Sequence, residues 1–481
     1  MGRRGGRGRP QRADGEAVMT RPDRARQAAP VADRRAGGRR IDPVLLLAFV
    51  IPLLTVAVLA TVDPSPTEQG SRSPSPAPLT SRTLVCPAAQ GGADVVAVAS
   101  GEDGAAGPVE VRGGDDLTLQ PGRTAERRVR GSLVLRGRDV TAPGLLAARG
   151  GVGGGIDCPA PASDVWFAGV GAGPEHSSVL TLHNPDAGPA LADVTVLTSK
   201  GLREVSRLRG VAVEPRGEVS LDLATLLPEP DDLTVRVTVS RGRLASWAVD
   251  RVVPLGSGAR ALGWLPPAAA PDTSLVVPGV GRGPGERVLV LTNAGEAQTM
   301  VRVRAVTPES EFDPKDLPEV SVPPGATVTV DLSRFLRSSA SADVLGLRLE
   351  SQEPVTGVLR TRVAGRLSYA VASTPLRERG ALLVDAGPKR LVLAGATEAG
   401  EVRVVQRTAS GRALPERAVQ VGPDRGARVP LAARARYVEV VVAEGSVSGA
   451  VEGTGGELAR VRPVTELVTD TWVPHVAPAL Y

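Results

Sequence analysis

The sequence predicts a mainly β protein: one N-terminal transmembrane helix followed by tandem immunoglobulin-like β-sandwich modules. Three observations lead there. Apolar residues make up 42% of the 481 and aromatic residues only 2%, so the cores must be built from Val, Leu and Ala. Val is β-branched and favours strands, and 56 Gly and 42 Pro punctuate the chain. Short segments such as "VLVLTN", "VRVRAVT", "ATVTVDL" and "LGLRLE" alternate or run apolar over a few residues, the period of a strand rather than a helix. Finally, the chain repeats itself. "FAGVGAGPEHSSVLTLHNPDAG" (Phe167–Gly188) matches "VPGVGRGPGERVLVLTNAGEAQ" (Val277–Gln298), with Gly169 against Gly279.

Residues 1–42 form an Arg-rich tail. Its first 40 residues hold 12 Arg and 4 acids, a net of +8; the whole chain carries +5, so the remainder sums to −3. The basic pI of about 9.7 therefore belongs to the tail. The rest has neither a basic excess for a phosphate backbone nor aromatic platforms for bases, which excludes nucleic acid as a partner. A tail this polar and Gly-rich cannot bury a core and is expected to be disordered.

Residues 43–62 are the predicted transmembrane helix. "VLLLAFVIPLLTVAVLATV" (Val44–Val62) is 19 residues without a charge. About 20 residues at 1.5 Å rise cross a hydrocarbon core of about 30 Å. Arginines before it and Asp63 and Glu68 after it place the N-terminus in the cytoplasm and the bulk of the chain outside the cell membrane. A cleaved signal peptide is the competing reading, since "VLA" at Val58–Ala60 resembles a cleavage site. The long leader and long apolar run favour an uncleaved anchor. Residues 63–82, rich in Pro and Ser, read as a semi-extended spacer.

The modules follow. Residues 83–160 read as a partial β module containing both cysteines, Cys86 and Cys158. An even count outside the cytoplasm points to one disulfide, with two unpaired buried thiols as the alternative. Two Cys are too few for a zinc site, and no His stands near either at ligand spacing. Residues 161–268 and 269–378 are the two clear copies. Their likeness continues from "VEPRGEVSLDLATLL" (Val213–Leu227) to "VPPGATVTVDLSRFL" (Val322–Leu336), and from "SRGRLASWAVDRV" (Ser240–Val252) to "SQEPVTGVLRTRV" (Ser351–Val363). Residues 379–481 hold a degenerate third copy and a C-terminal tail.

The glycine-rich "PGVGRGPGE" invites comparison with a phosphate cradle. A cradle opens a helix, whose N-terminal amides bind the anion, whereas this loop opens a strand. It lacks the GxGxxG spacing and a following lysine, and it recurs wherever the module recurs. It reads as a turn that uses positive φ, and no cofactor is expected. Asp222 and Asp331 occupy equivalent places before "LATLL" and "LSRFL" and read as helix caps. His176 and His183 flank one strand at an odd separation, which puts them on opposite faces, and Glu286 and Thr292 replace them in the other copy. His475 is the third histidine. Asp115–Asp116 and Asp231–Asp232 sit beside turns, without calcium-loop spacing. Trp166, Trp247, Trp264 and Trp472 could stack on sugars, but core packing is the simpler expectation. No catalytic, cofactor-binding or metal residues are assigned.

The succession of basic tail, apolar helix, Pro/Ser linker, "CPAPASDVWFAG" and repeated "PGVGxGP…VLVLTN" resembles an uncharacterised family of membrane-anchored secreted proteins of actinobacteria, over about residues 40–470. The resemblance implies a place in the cell envelope and no mechanism. Two function classes remain as expectations. One is a non-catalytic, membrane-anchored extracytoplasmic scaffold or binding protein for envelope proteins or glycans. The alternative is a cell-wall or carbohydrate-active hydrolase with a loop-borne carboxylate site.

Overall fold

A computed structural model describes residues 43–61 and 76–469, apart from short stretches at 92–93, 102–104, 151–154, 254–259, 282–283, 316, 364, 454–457 and 464–466. The Arg-rich tail, most of the linker, Trp472 and His475 lie outside the described residues. The chain divides into two compact units, Met1–Arg72 and Ser73–Tyr481.

The first unit contributes one helix, Pro43–Thr61, which carries no charge. Pro52 interrupts its amide ladder, and the Thr55 hydroxyl donates to the carbonyls of Ile51 and Pro52 at 2.9 Å each. Its described side chains, Val44 and Leu46–Val58, are exposed. Among the described residues no helix is long and apolar enough to cross a membrane. A crossing by the whole helix is therefore a matter of proposal.

The second unit is mainly β, and one strand connectivity occurs in it four times. In the second module eight strands recur in order: Asp164–Ala172, His176–His183, Ala190–Thr198, Val211–Val213, Glu218–Asp222, Glu229–Arg241, Ala245–Val252 and Ala261–Leu265. The fourth, third, sixth and first strands pair side by side; so do the fifth, second, seventh and eighth. In the third module the same pairings recur, with the sixth and seventh strands fused into one long strand, Gly346–Val363. They recur in the fourth module, from Arg379–Leu383 to Leu458–Arg460. The first module, which the sequence presents as partial, pairs its strands in the same way from Ser81–Cys86 to Ile156–Asp157. Each module is a sandwich. In the first, Leu84, Val109, Val111 and Leu135 of one sheet pack on Val96, Val98, Leu145 and Ala147 of the other. The order departs from the immunoglobulin arrangement by one exchange. The first strand pairs with the sixth and the seventh with the second, where an immunoglobulin pairs first with second and sixth with seventh.

The modules close on one another head to tail. In every case the first strand of one module meets the second sheet of the next. Val85 packs on Trp247 and Trp264 of the second module. The strand Asp164–Ala172 lies against Val290 and Val358 of the third. Val276 packs on Val392 and Ala394 of the fourth. Ala381 and Leu383 then return to Ala97, Ala99 and Leu146 of the first. Polar contacts seal the last joint: Arg436 reaches Glu126 at 2.6 Å, and the Thr124 amide donates to the Ala409 carbonyl at 3.0 Å. Four sandwiches thus form a closed ring. A heterologous, head-to-tail contact closes when its rotation completes a circle, and here it does so within one chain.

Candidate functional site

The glycine loops are the joints of this ring. Gly169 and Gly279 have φ of 79° and 85°, a region that favours glycine. A side chain on Gly169 would place its Cβ 2.7 Å from Val358 of the next module, and one on Gly279 would lie 2.8 Å from Leu458 of the module after. Glycine recurs there because the following module occupies the space.

In the third module the loop is filled by Arg287, which is fully buried. Its guanidinium donates to the carbonyls of Val280 (3.3 Å) and Gly281 (3.2 and 3.1 Å). Burial is the main influence on this group and lowers its pKa. The loop therefore turns carbonyl oxygens inward, the opposite polarity to a phosphate cradle.

In the second module the same strand position carries Ser178. Val179 and Val288 face the equivalent residues Asp222 and Asp331, so Ser178 is the counterpart of Arg287 and His176 that of Gly285. The alignment of His176 with Glu286 read from sequence is one residue out, because the second module's loop is one residue longer. Ser178 accepts from the Gly171 amide at 2.7 Å and donates to Asp250, its cross-strand neighbour. A side chain at Gly171 would collide with His176.

Around Ser178 the structure assembles a buried polar cluster that the sequence did not reveal. His176 Nδ1 lies 2.7 Å from Asp232 and Nε2 lies 3.0 Å from Asp250. From the third module, Arg360 Nη1 donates to Asp232 at 2.6 Å, and the Tyr369 hydroxyl donates to Asp250. Asp250 and Tyr369 are buried, and the His176, Asp232 and Arg360 side chains are nearly so. Burial opposes the charges of His176, Asp232 and Arg360, and their partners outweigh it. Asp250 and Asp232 hold the His176 pKa above its ordinary value. His176 and Arg360 bring Asp232 down to about 2 against a burial effect that would raise it. For Tyr369, burial and Asp250 act together and push the pKa well up. Such a cluster gains little over an apolar joint while intact, but removing one member leaves a buried charge without its partner.

The other residues singled out from sequence lie elsewhere. Cys86 and Cys158 form a disulfide, both sulfurs buried, tying the first strand of the first module to the end of its opposite sheet. Asp222 caps the turn Leu223–Leu226, accepting from the Ala224 amide at 3.1 Å; Asp331 is not a cap but stands one residue earlier, since Leu332 is the cap position of Ser333–Arg337, and it accepts from the Ser333 amide at 2.8 Å. Asp116 accepts from the Val111 amide and Asp115 pairs with Arg127. Asp231 accepts from Ser199 and stands outside the cluster that its neighbour Asp232 joins. His183 sits 3.2 Å from Glu218 and beside Trp247. Trp166, Trp247 and Trp264 are buried, with Arg236 over the Trp166 ring. Among the described residues no group of three or more His, Cys, Asp or Glu is placed to hold a metal ion.

Comparison with known proteins returns one family. The model of a family of unknown function, DUF5719, matches residues 146–432, from the end of the first module into the fourth. No curated protein matches the chain.

Proposed function

The chain belongs to the DUF5719 family of unknown function, and on that footing we propose that it is a non-catalytic, membrane-anchored, extracytoplasmic scaffold of the cell envelope. One observation carries the reading. Among the described residues, the buried cluster that combines a histidine, two carboxylates, an arginine, a tyrosine and a serine pairs those groups with each other, across the joint between two modules. The Ser178 hydroxyl donates to Asp250 rather than to His176, so the set is not arranged as a nucleophile and its base. Four sandwiches closed into a ring offer a rigid outer surface for envelope proteins or glycans.

The anchor is the helix Pro43–Thr61. Its 19 uncharged residues would reach about 28 Å, close to the hydrocarbon thickness, and the preceding arginines orient it with the ring outside. Replacing this helix by a cleavable signal, which releases an intact ring, should abolish function in cells lacking the native protein. Full complementation by the released ring would defeat the anchored scaffold. Turnover of a wall polymer by the purified chain, lost on Asp250→Asn, would replace it with a hydrolase.

A further inference from the structure

Both ring nitrogens of His176 face carboxylates, at 2.7 Å and 3.0 Å. A neutral imidazole has one N–H and one lone pair, so in either tautomer one nitrogen would aim its lone pair at a carboxylate oxygen. Only the doubly protonated ring satisfies both contacts. Arg360 Nη1 lies 2.9 Å from Nδ1, and it donates to the same Asp232 oxygen, 2.6 Å away. The groups that face the ring are thus Asp250 from the neighbouring strand, Asp232 from the sixth strand of its own module, and Arg360 from the third module. Ser178 and Tyr369 hold Asp250 from either side. Two carboxylates balance one imidazolium and one guanidinium, and the cluster is neutral as a whole.

We propose that His176 is a proton-operated latch on the joint between the second and third modules. Once the ring loses its proton, Nε2–H can keep Asp250 and Nδ1 can only accept, from Arg360, so Asp232 is left facing that lone pair and the buried cluster carries one negative charge in excess. Each carboxylate holds a group of the third module: Asp232 holds Arg360, and Asp250 holds Tyr369. Asp232 then keeps Arg360 only against that repulsion, and the joint is weakened on this side. The apolar contact of Phe167 and Val170 with Val290 and Val358 and the Thr234–Thr292 hydrogen bond remain, so loss of the latch loosens this joint while the modules stay folded.

The direction with pH follows. Burial favours the neutral ring, but Asp250 and Asp232 outweigh it and raise its pKa. The latch's contribution is therefore complete below the ordinary histidine value of 6.5 and is lost as pH rises through the higher value of the folded protein. Asp232, at about 2, sets the acid limit: its contribution is complete above 3.8 and is lost as pH falls towards 2.

Hydrogen exchange of the full chain in detergent micelles, corrected for intrinsic rate and run as a pH series beside NMR titration of the imidazoles, tests this. Amides of Asp164–Ala172 and Arg366–Val371 should lose at least tenfold in protection as His176 deprotonates, while Asp94–Ser100 in the first module keeps its protection. His176→Gln should show no step. Asp232→Asn, which removes one carboxylate, should move the step to lower pH, and this variant with the wild type decides the matter if His176→Gln fails to fold. Absence of a step in the wild type, a step retained in His176→Gln, simultaneous loss in all modules, or an imidazole that titrates below 6.5 would each overturn the latch.

Discussion

At the residue scale, three glycine and cysteine sites give sharp expectations. Gly169→Ala and Gly279→Ala combine a positive φ with a methyl forced onto the next module, and each should destabilise the ring by about 1–3 kcal/mol in urea unfolding. Ala at an exposed positive-φ turn such as Gly113, where nothing lies nearby, should cost less and serves as the control. Removing the Cys86–Cys158 bridge, which closes a 72-residue separation, should lower stability by up to about 4 kcal/mol, seen as an earlier transition confined to the first module. The disulfide was legible because a chain with two cysteines allows only one internal pairing. The His176 cluster was not. Its partners stand 56, 74 and 184 positions away, and only the folded ring brings them to one place. The available signal was a departure from the repeat: His176 and Asp250 occupy positions where the third module has Gly285 and Thr361.

At the scale of elements, the strands were legible where one face is wet. In Thr299–Val306 the residues alternate strictly between buried and exposed over Thr299–Val303, as period-two reading requires. The aspartate contacts at the two helical turns were equally local, since each Asp reaches an amide two residues on, although only Asp222 stands at the cap position. Asp222→Ala and Asp331→Ala should each cost about 1 kcal/mol, measured as a shift in denaturant midpoint at unchanged slope. Strand order was not local. Whether the first strand pairs with the second or the sixth depends on which sheet its apolar face completes, and both choices satisfy the same alternation. The exchange relative to the immunoglobulin order is of that kind. So is the full connectivity of the first module, whose sequence has drifted while its pairings have not.

At the scale of the whole molecule, the ring distinguishes this chain from a string of beads. A fragment beginning at Ser73 should scatter X-rays with a radius of gyration near that of one compact body of roughly 410 residues, about 22 Å, rather than that of an extended array. The ring also decides how the chain carries tension. Pro76–Pro78 pairs antiparallel with Leu467–Thr469, Pro76 opposite Thr469, so a pull on the chain before and after this ladder peels it rung by rung instead of shearing it. Two prolines leave only the Ala77 amide to donate from that side, and the ladder should part at low force. Load then falls on the contact between the first and fourth modules, which are neighbours in space although they are the farthest apart of the four in sequence. Until that contact fails, the second and third modules lie off the line of force. The closed ring is in this sense a mechanical fuse: it yields at one designated seam, and only afterwards does the rest of the length pay out.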